Sequence, residues 1–317
     1  MTGLAHFAVR RLALGLLQTA AVVVLVFVLT EALPGDAAVA LAGDQPDPAR
    51  VEAIRQAMRL DEPAAQRFAD WVLGLLRGDL GTSLVSGRPV SSYLAGGLGP
   101  TLLLAGITLA LLVPLSLVLG VAAAGREGGP LDRAISTVTV GLYAVPEFAL
   151  GILLITVVAL RGGLLPPTAV GAGGDLLAQP AVLVLPVAVL LARPVCSLSR
   201  LVRAGMVEAL ASDYVRHARR QGLGEARVRY AHALPNALAP AVQQLARTTD
   251  WLLCGVIVVE ALFVIPGLGT LLVEAVAARD VPVVQGLAVV FGLVTVVVNL
   301  AADLVVHRLA PRGEVVA

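Results

Sequence analysis

Six apolar stretches of membrane-spanning length dominate this sequence and restrict what it can fold into. Of its 317 residues, 58% are hydrophobic and only 14% are charged. A helix needs about 20 mostly apolar residues to cross the hydrocarbon core of a bilayer. The stretches that meet this length are 12–33, 101–124, 134–160, 180–198, 237–265 and 281–306. The sequence therefore predicts an all-α integral membrane protein with six transmembrane helices.

Polar residues and prolines interrupt two of these stretches. The fourth contains Pro186 and the pair Arg193–Pro194, and the fifth contains Asp250 among several other polar residues. Such groups are tolerated where a helix faces protein or a water-filled cavity instead of lipid. We therefore expect both stretches to span the membrane while packed against protein.

The arginines predict the orientation of the chain. Short translocated loops avoid positive charge, whereas long ones cross largely regardless of it. Seven arginines fall between the fourth and fifth stretches: Arg200, Arg203, Arg216, Arg219, Arg220, Arg227 and Arg229. The short loops on the opposite side hold only Arg161 and Arg279. Both termini and the arginine-rich loop are therefore predicted to be cytoplasmic.

A long hydrophilic segment separates the first two stretches and is predicted to lie outside the cell membrane. Residues 48–77 have a helical pattern, and Pro63 is expected to separate two short helices. The apolar stripe formed by Phe68, Trp71 and Leu75 favours packing against the rest of the chain over binding of an external partner.

Several kinds of chemistry are excluded by composition. All 23 basic residues are arginine, so the chain lacks the lysine of a nucleotide-binding phosphate loop and is not expected to hydrolyse ATP. Cys196 and Cys254 lie in apolar stretches without metal-ligand spacing, so no metal site, catalytic residue or cofactor site is predicted. A net charge of +1 gives no reason to expect a nucleic-acid partner.

The arginine-rich loop contains the most informative pattern, DYVRHARRQGLGEARVRYAHALPNALAP, which begins at Asp213. Tyr214, Ala218 and the pair Gln221–Gly222 recur at helical spacing, and Gly222 then interrupts the helix. The pattern indicates a short cytoplasmic helix presented to a partner. From composition alone, a solvated basic loop that only sets topology is equally compatible.

This loop resembles the EAA loop of bacterial ABC-importer permeases, in which an E-A-A triplet is followed by a spaced Gly and then by I-x-L-P. Ala218 corresponds to the third residue of the triplet, Gly222 to the glycine, and Leu234–Pro235 to the end of the pattern. Arg216 and His217 replace Glu and Ala. These departures resemble the dipeptide/oligopeptide/nickel branch of the family.

Further motifs extend the resemblance over almost the whole chain, to the first (B-type) permease subunit of peptide importers. They include LPGD from Leu33, LLRGDLGTSL from Leu75, LDR from Leu131, VPEFALG from Val145, RLVRAGMVEAL from Arg200 and the long run from Val258 that begins VVEALFVIPGLG. Each is weak alone, but the order and spacing together are specific.

The resemblance implies a type I ABC-importer permease fold and a set of partners. These are a second homologous permease that completes a heterodimer, two ABC ATPase subunits or one fused ATPase that bind ATP and Mg, and an external solute-binding protein. The loop would form a coupling helix that docks on the ATPase. The implied coupling residues are Asp213, Tyr214, Arg216, Ala218, Arg219, Gly222, Leu223, Leu234 and Pro235, with Ala218 expected on the docking face.

The implied organisation has three parts: a first helix with the outer segment over residues 1–98, a permease domain over 99–308 with its coupling loop at 200–236, and a cytoplasmic tail over 309–317. Ionisable groups within spans are costly and often functional. Glu147, Asp250 and Glu260 are therefore candidates for the translocation path or a gate, although a structural role is favoured for Glu147 and Glu260.

The expected function is translocation of dipeptides or oligopeptides, powered by separate ATPase subunits. A permease for nickel or a metal chelate is an alternative within the family. From a different class, an ion-coupled secondary transporter would use Glu147, Asp250 and Glu260 as coupling groups. Such a transporter would be expected to show paired internal repeats, which this sequence lacks.

Overall fold

The computed structural model describes residues 2–32, 37–42, 47–57, 59–171 and 176–309, and this part of the chain is almost entirely helical. The α-helices are α1 (Thr2–Glu31), α2 (Ala37–Ala42), α3 (Pro48–Ala57), α4 (Ala64–Leu76), α5 (Val90–Ala124), α6 (Pro130–Ala144), α7 (Glu147–Leu154), α8 (Ala181–Ala211), α9 (Asp213–Arg220), α10 (Glu225–Arg227), α11 (Leu234–Ala237), α12 (Ala239–Phe263), α13 (Leu268–Ala277) and α14 (Val281–Leu309). Two π-helical segments, Ile155–Arg161 and Val228–Ala233, continue α7 and precede α11. The motif LPGD at 33–36 lies outside the described residues.

Four described helices are long and apolar enough to cross a membrane by themselves. They comprise His6–Glu31, Val90–Ala124, Ala181–Ala211 and Val281–Ala301. Two further pairs of helices, each separated by a short break, raise the number to six if each pair is one span. A helix satisfies its backbone hydrogen bonds internally, which is the requirement that lipid imposes. The helical fold predicted from the six apolar stretches is thus confirmed.

The predicted third span, 134–160, is not one continuous helix. It is divided into Pro130–Ala144 and Glu147–Arg161, which meet at an angle of 105°. The break lies at Val145, whose backbone is extended (φ −82°, ψ 126°) because it precedes Pro146. The proline ring disfavours the helical conformation of the residue before it. Expecting an uninterrupted helix here was therefore wrong.

The fourth and fifth predicted spans behave differently from the third. Helix α8 runs through Pro186 and Pro194 without a break, and both prolines are buried. Helix α12 ends at Phe263 because Val264 adopts a left-handed conformation (φ 54°) that cannot continue it. The structure therefore tolerates prolines in one span and terminates the other close to its predicted end.

The chain divides into two compact units. One comprises residues 1–101 and 265–300, and the other comprises 102–264 and 301–317. In the first unit, the loop after α4 is fixed to the turn before α14. The Ser83 hydroxyl donates to a carboxylate oxygen of Asp280 at 2.5 Å, and the Leu84 N–H donates to the other oxygen at 3.1 Å. The Leu268 N–H also donates to the Thr101 hydroxyl at 2.9 Å.

The hydrophilic segment of the first unit contains the two short helices expected around Pro63. Phe68 and Trp71 of α4 pack against Phe27 of α1, with ring centroids 5.0 and 6.2 Å from it. Arg67 adds an ion pair to Glu31 at 2.5 Å. The packing predicted for the aromatic stripe is therefore confirmed for these two aromatic residues.

In the second unit, α8 is the helix around which the others pack. It contacts α6, α7, α11, α12 and the short helix that follows it. Glycines bring the neighbouring backbones close: a Cβ on Gly120 would lie 2.6 Å from Val202, and one on Gly205 would lie 2.4 Å from the Ala237 carbonyl oxygen. Neither approach leaves room for a side chain.

The contact at Gly205 gives a testable prediction. Gly205→Ala forces a methyl group into a backbone carbonyl, and overpacking of this kind costs roughly 1–3 kcal/mol. Gly141→Ala is the matched control, because its new Cβ would meet no atom within 4 Å and alanine stabilises an open helix position by up to about 1 kcal/mol. In thermal unfolding of the purified transporter, Gly205→Ala should lower the midpoint while Gly141→Ala leaves it unchanged or raises it. Equal midpoints for the two variants would contradict this packing.

Candidate functional site

The candidate site is a short helical excursion, residues 213–235, that begins where α8 ends. Ser212 leaves the helical conformation (φ −71°, ψ 157°), and its hydroxyl donates to the Ala209 carbonyl at 2.5 Å. Helix α9 then starts at Asp213, as the sequence pattern predicts. Its acidic residue lies in the first turn, and His217, Arg219 and Arg220 lie in the last. This distribution suits the helix dipole, which favours negative charge at the N-terminus and positive charge at the C-terminus.

The buried face of α9 differs from the predicted one. Val215 and Ala218 are 0% and 7% exposed, and α9 packs on α8 and on the segment Val228–Ala233. Tyr214, which the pattern grouped with Ala218, is 42% exposed. Ala218 therefore holds α9 against its own unit, and the expectation that it lies on a docking face was wrong.

The opposite face of α9 is polar and open. The side chains of Asp213 and Arg216 are 91% and 61% exposed and form an ion pair with each other. Tyr214, His217 and Arg219 are also exposed. Arg220 is exposed as well, so the open side of α9 presents an aromatic ring, three arginines and an imidazole, a combination that suits binding of another protein.

The C-terminus of α9 is closed by a Schellman motif. The Leu223 N–H donates to the Ala218 carbonyl at 3.3 Å, and the Gly222 N–H donates to the Arg219 carbonyl at 3.0 Å. Gly222 has a φ of +81°, which glycine adopts without the penalty that a Cβ incurs. The turn expected at Gly222 is thus confirmed, and its cause is backbone conformation, since a Cβ there would meet no atom within 4 Å.

An ion pair connects the residues on the two sides of this turn. The Arg219 guanidinium donates to both carboxylate oxygens of Glu225, at 2.8 and 3.3 Å. This bond holds the pKa of Glu225 below its usual value. The chain then returns through Val228–Ala233 to Leu234, which is half-buried, and to Pro235, which occupies the first turn of α11 and is exposed. The nine predicted coupling residues therefore lie on one excursion, and most of those that are exposed belong to α9 and its turn.

A cavity of about 750 Å³ lies beside the returning segment. Its lining includes Val121 at the end of α5 and Gly125 just beyond it, and its basic side chains are Arg126 and Arg229. The Nε atom of Arg229 is buried and has no hydrogen-bond partner among the described residues. The side of the excursion that faces this cavity therefore has a hydrogen-bond donor that no described residue uses.

The three candidate pathway residues are described unequally by the structure. Glu147 is half-buried at the start of α7, and its carboxylate lies 3.0 Å from where a Cβ on Gly255 of α12 would be. Glu260 of α12 is fully buried and has an interaction partner. Asp250 lies on α12, but its side chain falls outside the described residues. The structure thus brings Glu147 to α12, the helix that also carries Glu260.

One residue close to Glu147 was missed as a candidate. Arg193 was treated only as an interruption of the fourth apolar stretch, but its side chain is exposed on an otherwise largely buried helix. Its guanidinium lies over the Tyr143 ring, 4.9 Å from the centroid. The signal was available, because an arginine in the middle of a span is itself unusual.

The fold and this excursion can be compared with known proteins. Residues 116–314 match the family "Binding-protein-dependent transport system inner membrane component", and residues 4–89 match the corresponding N-terminal family of these membrane components. The chain belongs to this family. It is the non-catalytic permease subunit of an ABC importer, a multi-pass protein of the inner membrane.

Curated relatives match over nearly their full length. The glutathione transport system permease protein GsiC of Pectobacterium atrosepticum is 38% identical, over 96% of this chain and 98% of the relative. The protein of that name from Escherichia coli strain K12 is 36% identical over the same shares. These matches agree with the predicted resemblance to the dipeptide/oligopeptide/nickel permeases and exclude the secondary-transporter alternative.

A solved structure supports the fold. The crystal structure of an amino acid ABC transporter with histidines aligns with a TM-score of 0.54 at 16% identity, covering 69% of this chain and 94% of that one. The predicted type I permease fold is thereby confirmed. As the membrane component of a binding-protein-dependent system, the subunit works with a partner permease, an ATPase and a binding protein.

The Schellman motif leads to a second prediction. Gly222→Ala should destabilise the turn by about 1 kcal/mol, because alanine at positive φ is strained. A change of this size corresponds to about fivefold faster hydrogen–deuterium exchange at the Leu223 amide, measured in the assembled transporter. Gly222→Asn is the matched control, because asparagine enters this conformation more readily, and it should exchange at a rate between those of the parent and the alanine variant. Unchanged exchange in Gly222→Ala would show that the turn does not depend on glycine.

Proposed function

We propose that this permease subunit serves an importer of short peptides, and that dipeptides, oligopeptides and glutathione are its cargo class. Its similarity to glutathione permeases over nearly the whole length of both chains supports this proposal. Glutathione is itself a short peptide with free amino and carboxylate groups. Glutathione, after which these relatives are named, and the peptides that the importer motifs imply therefore belong to one chemical class.

We further propose that the exposed face of α9 docks on the ATPase from the cytoplasmic side. The observation that carries this proposal is the opposition of the two faces of α9, with Val215 and Ala218 buried against the unit and Tyr214 and Arg216 turned outward. Because one side of α9 is fixed to its unit, a force applied by a partner to the open side would move the unit together with the helix. The arginine distribution of the sequence supports a cytoplasmic location for this helix and for both termini.

Helix α8 supplies a mechanical route from this face into the unit, because only Ser212 separates it from α9. Near its C-terminal end, Arg203 forms a bidentate ion pair with Asp132 of α6, with N–O distances of 2.5 and 2.7 Å. Asp132 also accepts the Gly128 N–H at 2.8 Å. A displacement of α9 would therefore move α8 and α6 together.

The assembled importer would consist of this subunit and a different but homologous permease, with two ATPase chains or one fused chain. Those ATPases would bind the ATP and Mg, and this chain would hold no cofactor. Glu147, Asp250 and Glu260 would line the translocation path or its gate. In lipid, such groups require polar surroundings, which a second permease would help to enclose.

The cargo proposal predicts the behaviour of the reconstituted importer. The complete complex with its binding protein should accumulate labelled dipeptides or glutathione in proteoliposomes only when ATP is supplied to the ATPases. Liposomes that contain this chain alone should show no uptake under any ion gradient, because the energy source is absent. Uptake of a nickel chelate but of no peptide would identify the alternative cargo within the family.

The docking proposal predicts the effect of charge reversal on α9. Arg216→Glu reverses an exposed charge without disturbing a buried contact, so the complex should assemble while peptide-stimulated ATP hydrolysis and uptake fall by about tenfold, an order of magnitude typical of interface hot spots. Arg77→Glu, an equivalent reversal at an exposed position of the outer segment, is the control and should leave both rates unchanged. If Arg216→Glu keeps the parental rates, the exposed face of α9 is not the docking surface.

The buried face provides a contrasting variant. Ala218→Glu places a charge where the side chain is 7% exposed, and an unpaired buried charge is strongly destabilising. Its defect should therefore appear as lost folding or assembly of the subunit, measured by the yield of intact complex. This outcome separates the supporting role of Ala218 from the docking role of Arg216.

A further inference from the structure

Three side chains form a polar cluster at the break between α6 and α7. Tyr143 lies in the last turn of α6, Glu147 opens α7 beyond Pro146, and Arg193 reaches them from α8. The Arg193 guanidinium lies 4.9 Å from the centre of the Tyr143 ring, and α7, which begins at Glu147, packs against α8. All three residues belong to the same compact unit.

The exposure of Arg193 is the unusual feature. The residues on either side of it, Ala192 and Pro194, are buried, whereas Arg193 is exposed. A guanidinium in the middle of a membrane-spanning helix is expensive when it faces lipid, so it faces protein or a water-filled cavity. The cluster therefore belongs on a polar surface of the assembled transporter.

The charged groups of the cluster keep their binding capacity. Among the described residues, Glu147 and Arg193 form no direct ion pair, and the guanidinium lies against the face of the Tyr143 ring. Arginine offers planar donors that fit a carboxylate in two parallel hydrogen bonds. The Glu147 carboxylate is an acceptor, and the Tyr143 ring attracts cations.

Gly255 allows the carboxylate of this cluster to lie directly beside α12. A Cβ at this position would lie 3.0 Å from a Glu147 carboxylate oxygen and would press against it. Without it, the carboxylate has space beside α12. The cluster thus places a guanidinium and a carboxylate at the same helix break without an ion pair between them, an arrangement complementary to a molecule that carries one charge of each sign.

We propose that Arg193, Glu147 and Tyr143 form a cargo-contact site in the translocation route that recognises the free ends of a short peptide. Arg193 binds the terminal carboxylate, and Glu147 with the Tyr143 ring binds the terminal ammonium group. This inference rests on the proposed peptide cargo and adds to it the residues and the charge pattern by which the permease itself contacts that cargo. A structural contact between Arg193 and an acidic residue of the partner permease is the competing role.

The test is competition binding to the complete transporter in lipid nanodiscs, without the binding protein, so that only the permease route is probed. Radiolabelled dialanine is displaced by unlabelled dialanine, by its C-terminal amide and by its N-acetyl form. Loss of one charge-assisted contact weakens binding by about tenfold. The parent should therefore bind each blocked peptide about tenfold more weakly than dialanine.

Variants distinguish recognition of the peptide ends from a structural role, because each variant should lose discrimination against a different blocked peptide. Arg193→Gln should lose the discrimination against the amide and keep that against the acetylated peptide, and Glu147→Gln should do the reverse. Arg193→Lys should retain part of the discrimination against the amide, because lysine keeps the charge without the planar fork. Arg161→Gln, which removes an exposed arginine elsewhere in the same unit, should keep the parental ratios.

Other outcomes decide against the site. If both glutamine variants keep the parental ratios, or lose affinity for all three peptides to the same extent, the cluster does not read the peptide ends. A parent that imports dipeptides in proteoliposomes but binds the blocked and free forms equally also overturns the inference, while the peptide cargo stands. Failure of the parental complex to import any peptide would instead refute the proposed function.

Discussion

The packing of α8 is the constraint on which the second unit depends. This helix of 31 residues contains two prolines, each of which removes one backbone hydrogen bond, and it persists because neighbouring helices enclose it. At Gly120 and Gly205 the surrounding backbone comes too close for any other residue. Such close approach replaces the hydrophobic driving force that is absent between helices in lipid. The helix is therefore held by shape more than by apolar character.

Near the C-terminal end of α8, an ion pair adds to the close packing. The ion pair between Arg203 and Asp132 joins two motifs that the sequence could identify only separately, LDR from Leu131 and RLVRAGM from Arg200. Asp132 is nearly buried and accepts from a backbone amide as well as from the guanidinium. Removal of one partner would leave a charge without compensation. The pair thus gives a physical reason for two motifs that carry the family resemblance.

The sequence predicted the helices of this fold well because lipid leaves a chain few options. Long apolar stretches in a membrane must satisfy their backbone groups internally, so length and composition were sufficient for α5, α8 and α14. They were insufficient at Pro146, since a proline in a span can be tolerated, as at Pro186 and Pro194, or can divide the helix. Tertiary packing decides between these outcomes, and it is not visible in the local sequence.

The candidate site shows the same limit on a smaller scale. The spacing located α9 and the glycine that ends it, but a helix of eight residues has too few turns for its period to reveal which face is buried. Val215 is the one strongly apolar residue in it, and it marks the buried face more reliably than the spacing of Tyr214 and Ala218. Arg193 was overlooked for a related reason, because it was considered as a defect of a span and not as a group with a function.

The position of the charged residues relative to α8 suggests how the two ends of its unit communicate. Arg193 lies ten residues before Arg203 on this helix, about 15 Å at the helical rise, and α9 follows after Ser212. A cargo that interacts with Arg193 and an ATPase that interacts with α9 would both act on one rigid element. Neither can shift the transporter between its states by more than its difference in affinity for them. Coupling between cargo and ATP hydrolysis therefore requires that movement of α8 changes both contacts, and its firm packing makes such concerted movement possible.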